Sequence, residues 1–480
     1  MLGAAGKIRP FRRLFPLPPG ERVRVRGKTP AHPVIFRSSD RTPPHPEPAA
    51  RPSPQGGEGK TTLVHVLAAA LLLAAGPAWA DAKQPQHPQP LQPLIDATPP
   101  GGTLALPPGV YAGPVVVTRP LTLEGDGKAV LQNDGHGTVL VIQSDGVTVS
   151  GLTLRNSGGL ADELDAAIHV RGRYNIIKNN VIEDCLIGID LRQSHNNVIR
   201  GNSITSKARS LGQRGDAVRI WYSNHNMVKD NHIDDSRDMV VWYSADNKLT
   251  GNTVKRGRYG LHFMYSNNNA AENNVFIENT VGVFMMFSND IELRGNRIER
   301  SNGPSGIGVG LKEASGVHMT GNDVVGNATG IYLDVSPNDP DNPNTFEDNH
   351  IAFNGMATAF HSDWPGNSFH RNDFIGNFAQ VSVRGGGAAA RNDWQGNYWD
   401  VYEGFDVNRD GVGDTPFEAY AYADRLWMDV PATQFFRASP VLELMDFMER
   451  LAPFSTPRLL LRDLSPATRR IATGGGAPAS

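Results

Sequence analysis

The chain has 480 residues and a single cysteine, Cys185, so an internal disulfide is excluded. Of its 46 Lys and Arg and 49 Asp and Glu, 12 basic and 4 acidic residues fall within the first 60 positions, which leaves 34 and 45 and a net charge near −11 for the rest. That acidic balance argues against nucleic acid as a partner and favours binding of cations or basic surfaces.

Residues 1–59 are dominated by Pro, Gly and Arg and lack apolar periodicity, so we expect a disordered segment upstream of the true start. Residues 60–80 have the pattern of a secretory signal peptide: a lysine, a nearly unbroken apolar run, and a small-residue cleavage pattern before Asp81. The apolar run is too short to span a bilayer comfortably, although an N-terminal membrane anchor is the alternative. Residues 81–97 form a polar linker rich in Gln and Pro.

Asparagine recurs through the middle of the chain at intervals of 21 to 29 residues, each time followed two positions later by Ile, Val or Phe: Asn180, Asn202, Asn231, Asn252, Asn274, Asn296, Asn322, Asn349 and Asn372. Short segments with period-two alternation, separated by Ser/Asn turns, surround each of them. This repeat predicts an all-β fold, a right-handed parallel β-helix solenoid with rungs of about 22 residues. Rungs about 4.8 Å apart let each asparagine hydrogen-bond to its copies above and below, so its role is structural.

The solenoid is predicted over residues 98–400, followed by a closing segment at 401–426 and a partly helical tail at 427–480. Apolar residues at helical spacing predict a helix from Val441 to Phe454. A helical tail on an elongated body either caps its open end or docks on a partner. The docking face would contain Leu442, Met445 and Met448.

Alignment of the first strand of successive rungs separates core positions from outward positions. The core row is Ile189, Val218, Met239, Leu261, Val283, Val309 and Ile331. Two outward rows lie between the core positions; the upper row is Arg192, Trp221, Trp242, Met264, Met286, Lys312 and Asp334, and the lower row is Asp190, Arg219, Val240, His262, Phe284, Gly310 and Tyr332. Apolar side chains at outward positions mark a partner surface, here Trp221, Trp242 and Phe284. A loop that covers the rows and makes them a second core is the alternative.

Three of these outward side chains are candidate metal ligands. His262 and Met264 lie two residues apart on one strand, and Met286 lies one rung above Met264. Thioether and imidazole groups suit Cu(I), so ligands from adjacent rungs could converge on one ion. Plain partner binding by the same rows is the alternative.

A second metal pattern, typical of the front of an EF-hand-type calcium loop, follows the solenoid. Oxygen-bearing side chains occupy its first, third, fifth and ninth positions, with glycine at the sixth; the candidate ligands are Asp406, Asn408, Asp410, Val412 and Asp414. The twelfth position is Phe417, and the adjacent Glu418 could substitute. Ca²⁺ here would be structural, and the alternative is an Asp/Gly-rich turn that closes the solenoid.

Four stretches resemble the NosD family: GRYGLHFMYSN at 257–267, GVFMMFSN at 282–289, NYWDVYEGFDVNRDGVGDTPF at 397–417 and MERLAPFSTPR at 448–458. The resemblance covers about residues 95 to 465. Many sugar-binding and sugar-cleaving β-helices share the rung pattern, so the Met/His strands and the tail are the more specific motifs.

The resemblance implies a periplasmic accessory protein of denitrifiers, membrane-associated through an ABC transporter with membrane and ATPase subunits. With a copper chaperone lipoprotein it would mature the copper sites of the nitrous oxide reductase apoprotein, delivering copper or a sulfur species. The resemblance implies no enzymatic activity. Its Cu(I) would lie at His262, Met264 and Met286.

The alternative function is that of a carbohydrate-active protein, a polysaccharide lyase, hydrolase or sugar-binding module, because this fold often presents carboxylates on its outer strand face. The candidates are Asp190, Asp216 and Arg219, which are scattered over two rungs without a second cluster of acids. A third class, an adhesion solenoid, would explain the repeat but not the Met/His strands.

Overall fold

The computed structural model describes residues 88–421, 439–452 and 456–471. The predictions for residues 1–59, for the signal peptide at 60–80 and for the C-terminal end of the tail helix at Phe454 lie outside the described residues. Within these ranges, no helix combines the length and the hydropathy that a membrane span requires.

The described chain is an all-β solenoid whose strands pair in parallel with strands one turn away, as predicted. One sheet contributes a single strand to each turn and carries both outward rows. Its 12 strands are Val115–Val117, Leu140–Ile142, Ala166–Val170, Ile187–Arg192, Val218–Trp221, Asp238–Trp242, Tyr259–Met264, Val281–Met286, Ile307–Lys312, Thr329–Asp334, Met356–Phe360 and Val381–Val383.

A second sheet of 25 strands forms the other two faces, which join because two long strands, Thr122–Gln132 and Thr148–Arg155, run through both. Its remaining strands are Gln89–Pro90, Thr103–Ala105, Gly109–Ala112, Ile176–Lys178, Val181–Cys185, Val198–Arg200, Ser203–Ser206, Met227–Lys229, His232–Asp234, Lys248–Thr250, Thr253–Lys255, Ala270–Glu272, Val275–Ile277, Glu292–Arg294, Arg297–Glu299, His318–Thr320, Asp323–Val325, Asn344–Glu347, His350–Ala352, Asn367–His370, Asp373–Ile375, Asp393–Gln395 and Tyr398–Trp399.

The remaining elements lie outside the two sheets of the solenoid. They are an α-helix at Gln92–Ala97, 3₁₀ turns at Leu211–Gln213 and Arg384–Gly386, an antiparallel pair of strands at Phe417–Ala421 and Arg458–Asp463, and an α-helix at Pro440–Leu451. The last helix confirms the predicted type of element in the tail.

The predicted register of the first sheet is confirmed. Every member of the core row is fully buried. On the outward side, Trp242 pairs with Met264, and Met264 pairs with Met286. Alternation along each strand therefore places the two outward rows on one continuous face of the solenoid.

The buried asparagines connect the rungs. The backbone N–H and the Nδ2 of Asn202 both donate to Oδ1 of Asn231, at 3.0 and 2.9 Å, and the Nδ2 also donates to the carbonyl of Ile177. The same pattern continues along the solenoid to Asn372 and Asn397. Each amide thereby satisfies turn backbone that would otherwise be buried without a partner.

The asparagine ladder ends on a carboxylate from the tail. Asn397 donates from its backbone N–H and its Nδ2 to Oδ2 of Asp463, at 3.1 and 3.0 Å, and the Nε1 of Trp399 donates to the same oxygen at 3.1 Å. Asp463 is fully buried and ends the strand Arg458–Asp463. Residues 456–471 of the tail thus pack on the end of the solenoid, whereas the helix Pro440–Leu451 exposes apolar side chains.

Replacing Asp463 by alanine is expected to lower the free energy of unfolding by about 3 kcal/mol or more, because several buried donors lose their acceptor at once. Urea unfolding of the purified protein measures the change. Asp463→Asn keeps one acceptor oxygen and should cost less. The control Lys248→Ala removes an exposed ion pair with Glu272 and should change stability by less than about 1 kcal/mol. Equal losses in the two alanine variants would contradict the role of Asp463 as the end of the ladder.

Candidate functional site

The candidate site lies on the outer face of the first sheet. Four consecutive members of the upper row, Trp221, Trp242, Met264 and Met286, are half-buried register partners on adjacent strands. Adjacent strands are about 4.8 Å apart, so the two thioether side chains lie side by side. The structure brings the predicted methionines together.

The lower row is more buried than the sequence predicts. His262 is 8% exposed and Val240 is 6% exposed, although both occupy outward positions. No loop is needed for this burial, because the ring of Tyr259, on the same strand, stacks on His262 at 4.7 Å between centroids. Phe284 lies on the next rung, with its ring edge-on to His262 at 6.4 Å. His262 therefore sits in an aromatic environment in the row beside the methionines.

Burial lowers the pKa of His262 to about 4; Asp238 opposes this effect and Arg258 adds to it. The imidazole is thus neutral near pH 7. Its Nε2 is buried and has no hydrogen-bond partner among the described residues. A neutral imidazole with an unpartnered nitrogen, next to two thioethers, is a donor set that fits Cu(I).

A row of aromatic side chains runs beside the upper row. Tyr222, Tyr243, Tyr265 and Phe287 stack nearly parallel, with centroids 4.8 to 5.1 Å apart. Their backbone φ angles are +46° to +50°, as at other corners of the same sheet. The sequence offered a signal for this aromatic row, since each member directly follows one of Trp221, Trp242, Met264 and Met286.

The acids proposed for carbohydrate chemistry are held in ion pairs. Asp190 is fully buried, accepts a hydrogen bond from His169 at 2.9 Å and lies 3.7 Å from Arg219. Asp216 is also buried and accepts two hydrogen bonds from Arg237. Burial raises the pKa of Asp216 to about 6, with Arg237 opposing the shift. A raised pKa suits a general acid, but a buried carboxyl bonded to a guanidinium is poorly placed to reach a substrate.

The carboxylates of the calcium-like loop accept hydrogen bonds from the backbone of the loop itself. The carboxylate of Asp406 accepts the N–H groups of Asp410 and Gly411, and Asp414 accepts that of Val407. No group of three or more His, Cys, Asp or Glu side chains within the described ranges is arranged to hold a metal ion. Together with Asn408 and Val412, these residues remain a prediction for Ca²⁺.

The proposed docking face of the tail is exposed where the structure describes it. On the helix Pro440–Leu451, Met445 is 53% exposed and Met448 is 46% exposed. Leu442 belongs to the same helix. The side chains of Met445 and Met448 are available to a partner, whereas the strand that follows the helix packs on the solenoid.

A model of a family described as "NosD: Periplasmic copper-binding protein (NosD)" matches residues 125–213 and 200–404, more than half of the chain. A "Probable ABC transporter binding protein NosD" from Pseudomonas aeruginosa is 29% identical over 387 residues, covering 73% of this chain and 85% of the relative. The protein of the same name from Stutzerimonas stutzeri is 29% identical over 373 residues, covering 72% and 83%.

Among solved structures, the mannuronan C-5 epimerase AlgE6 A-module of Azotobacter vinelandii is similar at 18% identity. The similarity covers 62% of this chain and 92% of that module, with a TM-score of 0.47. Similarity at this level does not bear on function.

The raised pKa of Asp216 predicts a pH dependence of stability. Between about pH 4 and 6 the folded state keeps a proton that the unfolded state has lost, so this group lowers stability as the pH rises through that window. Relative to Asp216→Asn, the parent should lose on the order of 2 kcal/mol between pH 4 and pH 7, measured by urea unfolding at each pH.

Asp235→Asn is the control, because the expected pH dependence of stability has the opposite sign at Asp235. A hydrogen bond from Arg256 lowers the pKa of Asp235, so its contribution is present above about pH 4 and is lost as the pH falls below that value. A flat difference between the parent and Asp216→Asn from pH 4 to 7 would contradict a raised pKa for Asp216.

Proposed function

This chain belongs to the NosD family, and we propose that it is a periplasmic accessory protein that works with an ABC transporter to assemble the copper sites of nitrous oxide reductase. Copper is the proposed cargo, and a sulfur species is the alternative. The family match over more than half of the chain and the names of the two relatives support the transporter-associated role. We infer a non-catalytic role from the same names.

The observation that carries the copper proposal is the alignment of His262, Met264 and Met286 on neighbouring strands of one face. The thioethers of Met264 and Met286 and the unpartnered Nε2 of His262 would hold Cu(I). The half-burial of the methionines leaves them accessible to a donor and an acceptor. Soft ligands retain Cu(I) while permitting ligand exchange with another soft site.

The proposed partners need two contact surfaces. The face with Trp221, Trp242 and Phe284 surrounds the proposed copper ligands, so a copper chaperone lipoprotein and the apo-reductase would meet the protein there. The exposed helix Pro440–Leu451 suits the membrane and ATPase assembly of the transporter, which would keep the protein at the membrane. These assignments rest on exposed apolar surface, which commonly marks interaction sites.

The test of the copper site is the double variant Met264→Leu, Met286→Leu, which keeps the approximate side-chain volume and removes both sulfur donors. Cu(I) affinity should fall by about tenfold or more, measured by competition with a Cu(I) chelator, and activation of the reductase should fall with it. The urea midpoint should change little. His262→Ala should add a smaller loss of affinity.

Met227→Leu is the matched control, because Met227 is an exposed methionine on the second sheet. It should leave Cu(I) affinity unchanged. If the double variant binds Cu(I) as tightly as the parent, the ligands lie elsewhere, and the face is better interpreted as a docking surface for a protein.

Docking through the tail is tested by Met445→Gln with Met448→Gln. Because both side chains are exposed, the β-rich circular dichroism should be unchanged while co-purification with the transporter is lost. Deleting the whole tail is a less specific test, because it also removes Asp463. Met227→Gln serves as the control and should retain co-purification. Retention of the transporter by the double variant would assign docking to another surface.

A further inference from the structure

A cluster of arginines lies at the N-terminal end of the upper row. The guanidinium carbon of Arg192 lies 5.3 Å from the ring centroid of Trp221, and that of Arg219 lies 5.9 Å from both Trp221 and Trp242. The side chains of Arg192 and Arg219 are 24% and 10% exposed. Two cations are therefore held against two indole rings on the outer face.

These guanidinium groups share one carboxylate without hydrogen-bonding to it. Arg192 and Arg219 approach Asp190 only to 3.9 and 3.7 Å, beyond hydrogen-bond distance. His169 bonds to the Oδ2 of Asp190, whereas the Oδ1, which faces Arg219, is buried without a hydrogen-bond partner among the described residues. By contrast, Arg237 donates twice to Asp216, at 2.8 and 3.0 Å. The Arg192 and Arg219 pairs are thus incomplete.

Unpartnered donors at this cluster outnumber unpartnered acceptors by three to one, the acceptor being the Oδ1 of Asp190, 3.7 Å from the Nη1 of Arg219. Three N–H-bearing atoms are buried without a hydrogen-bond acceptor among the described residues: the Nε of Arg192, the Nη1 of Arg219 and the Nε1 of Trp242. Guanidinium and indole nitrogens can only donate, so each of them requires an acceptor. Leaving such donors unpaired in a buried place is unfavourable.

The local charge also departs from that of the chain. Arg171 lies beside the cluster and donates from its Nε to the Nε2 of His169 at 3.0 Å. Arg192 and Arg219 approach Asp190 directly and Arg171 reaches it through His169, while the second carboxylate near Arg219, that of Asp216, is already paired with Arg237. This cluster lies within a chain that is acidic beyond its first 60 residues. A positive group of donors in an acidic chain favours an anionic ligand.

We propose that Arg192, Arg219 and Trp242 form a binding site for a carboxylate, supplied by a small organic acid or by an acidic side chain of a protein. The planar guanidinium matches a carboxylate with two N–H groups, and the indole N–H adds a third donor. Asp190 holds the guanidinium groups in place. Trp242 lies one rung, roughly 5 Å, from Met264, and Arg219 and Arg192 lie two and three rungs away, so a bound acid would border the proposed copper ligands.

A sugar ring stacked on the neighbouring aromatic row fits this surface less well. The rings of Tyr222, Tyr243, Tyr265 and Phe287 cover one another's faces, with interplanar angles of 5° to 11°. Their edges, rather than their faces, are available to a ligand. At this end of the row, the groups available to bind a ligand are therefore the arginines and the indole N–H.

The test titrates the full mature protein with sodium acetate and, separately, with N-acetyl-glutamate amide, N-acetyl-glutamine amide and a glutamate-containing peptide. Sodium chloride holds the ionic strength constant, and the fluorescence of the tryptophans and the melting temperature are the readouts. We expect a saturable response to the carboxylates and none to the glutamine compound. A response to acetate identifies a free acid as sufficient, whereas a response to the peptide alone identifies a protein-borne carboxylate.

Arg192→Gln should weaken the response by at least tenfold, since the removed guanidinium is only partly buried and the fold should tolerate its loss. Arg256→Gln is the matched control, because Arg256 already pairs with Asp234 and Asp235, and it should respond like the parent.

No response of the parent to any carboxylate, or an equal response of the parent and Arg192→Gln, would overturn the proposal. The Cu(I) affinity of Arg192→Gln, measured in parallel, should equal that of the parent. This second measurement separates the carboxylate site from the proposed copper function, because either can fail while the other holds.

Discussion

The hydrogen bond from one asparagine to the asparagine of the next rung is the interaction on which this structure depends. A solenoid with tight turns buries backbone N–H groups at every turn, and each of them requires an acceptor. The amide of Asn231 accepts two hydrogen bonds from Asn202 and donates to Asn252, so one side chain serves both neighbours. This requirement fixes the rung spacing and, through it, the register of every outward side chain.

That register determines which side chains of the outward rows are neighbours. Because Met264 and Met286 occupy equivalent positions in consecutive rungs, they meet without any contribution from a loop. A sheet is also stiffer than a loop, so the spacing between side chains on it is well defined. The proposed copper ligands and the arginine cluster therefore lie on one rigid face.

Much of this arrangement follows from sequence periodicity. The recurring asparagine predicted the rungs, and strict alternation within each strand predicted which residues, such as Leu261 and Met264, face inward and outward. These properties are local or repeat at fixed intervals, so they can be predicted from a single sequence. The helix in the tail could also be predicted, because the apolar residues around Met445 recur at helical spacing.

The remaining features depend on lateral or distant contacts. The burial of His262 arises because Tyr259, three residues earlier on the same strand, covers the imidazole, at a place where the pairing with the neighbouring strand shifts its register. The pairing of Asp463 with Asn397 joins residues 66 positions apart and substitutes an aspartate for the repeating asparagine. Periodicity carries no information about either contact.

The carboxylate at the end of the asparagine ladder also determines how long the solenoid can be. Each asparagine donates hydrogen bonds to the asparagine of the next rung and accepts them from the asparagine of the rung before, so the series could continue indefinitely. Asp463, when ionised, only accepts, and the antiparallel strand that carries it covers the last turn. A second copy of the chain cannot continue the ladder from that end. The protein thereby avoids the fibre growth to which an uncovered sheet edge is prone.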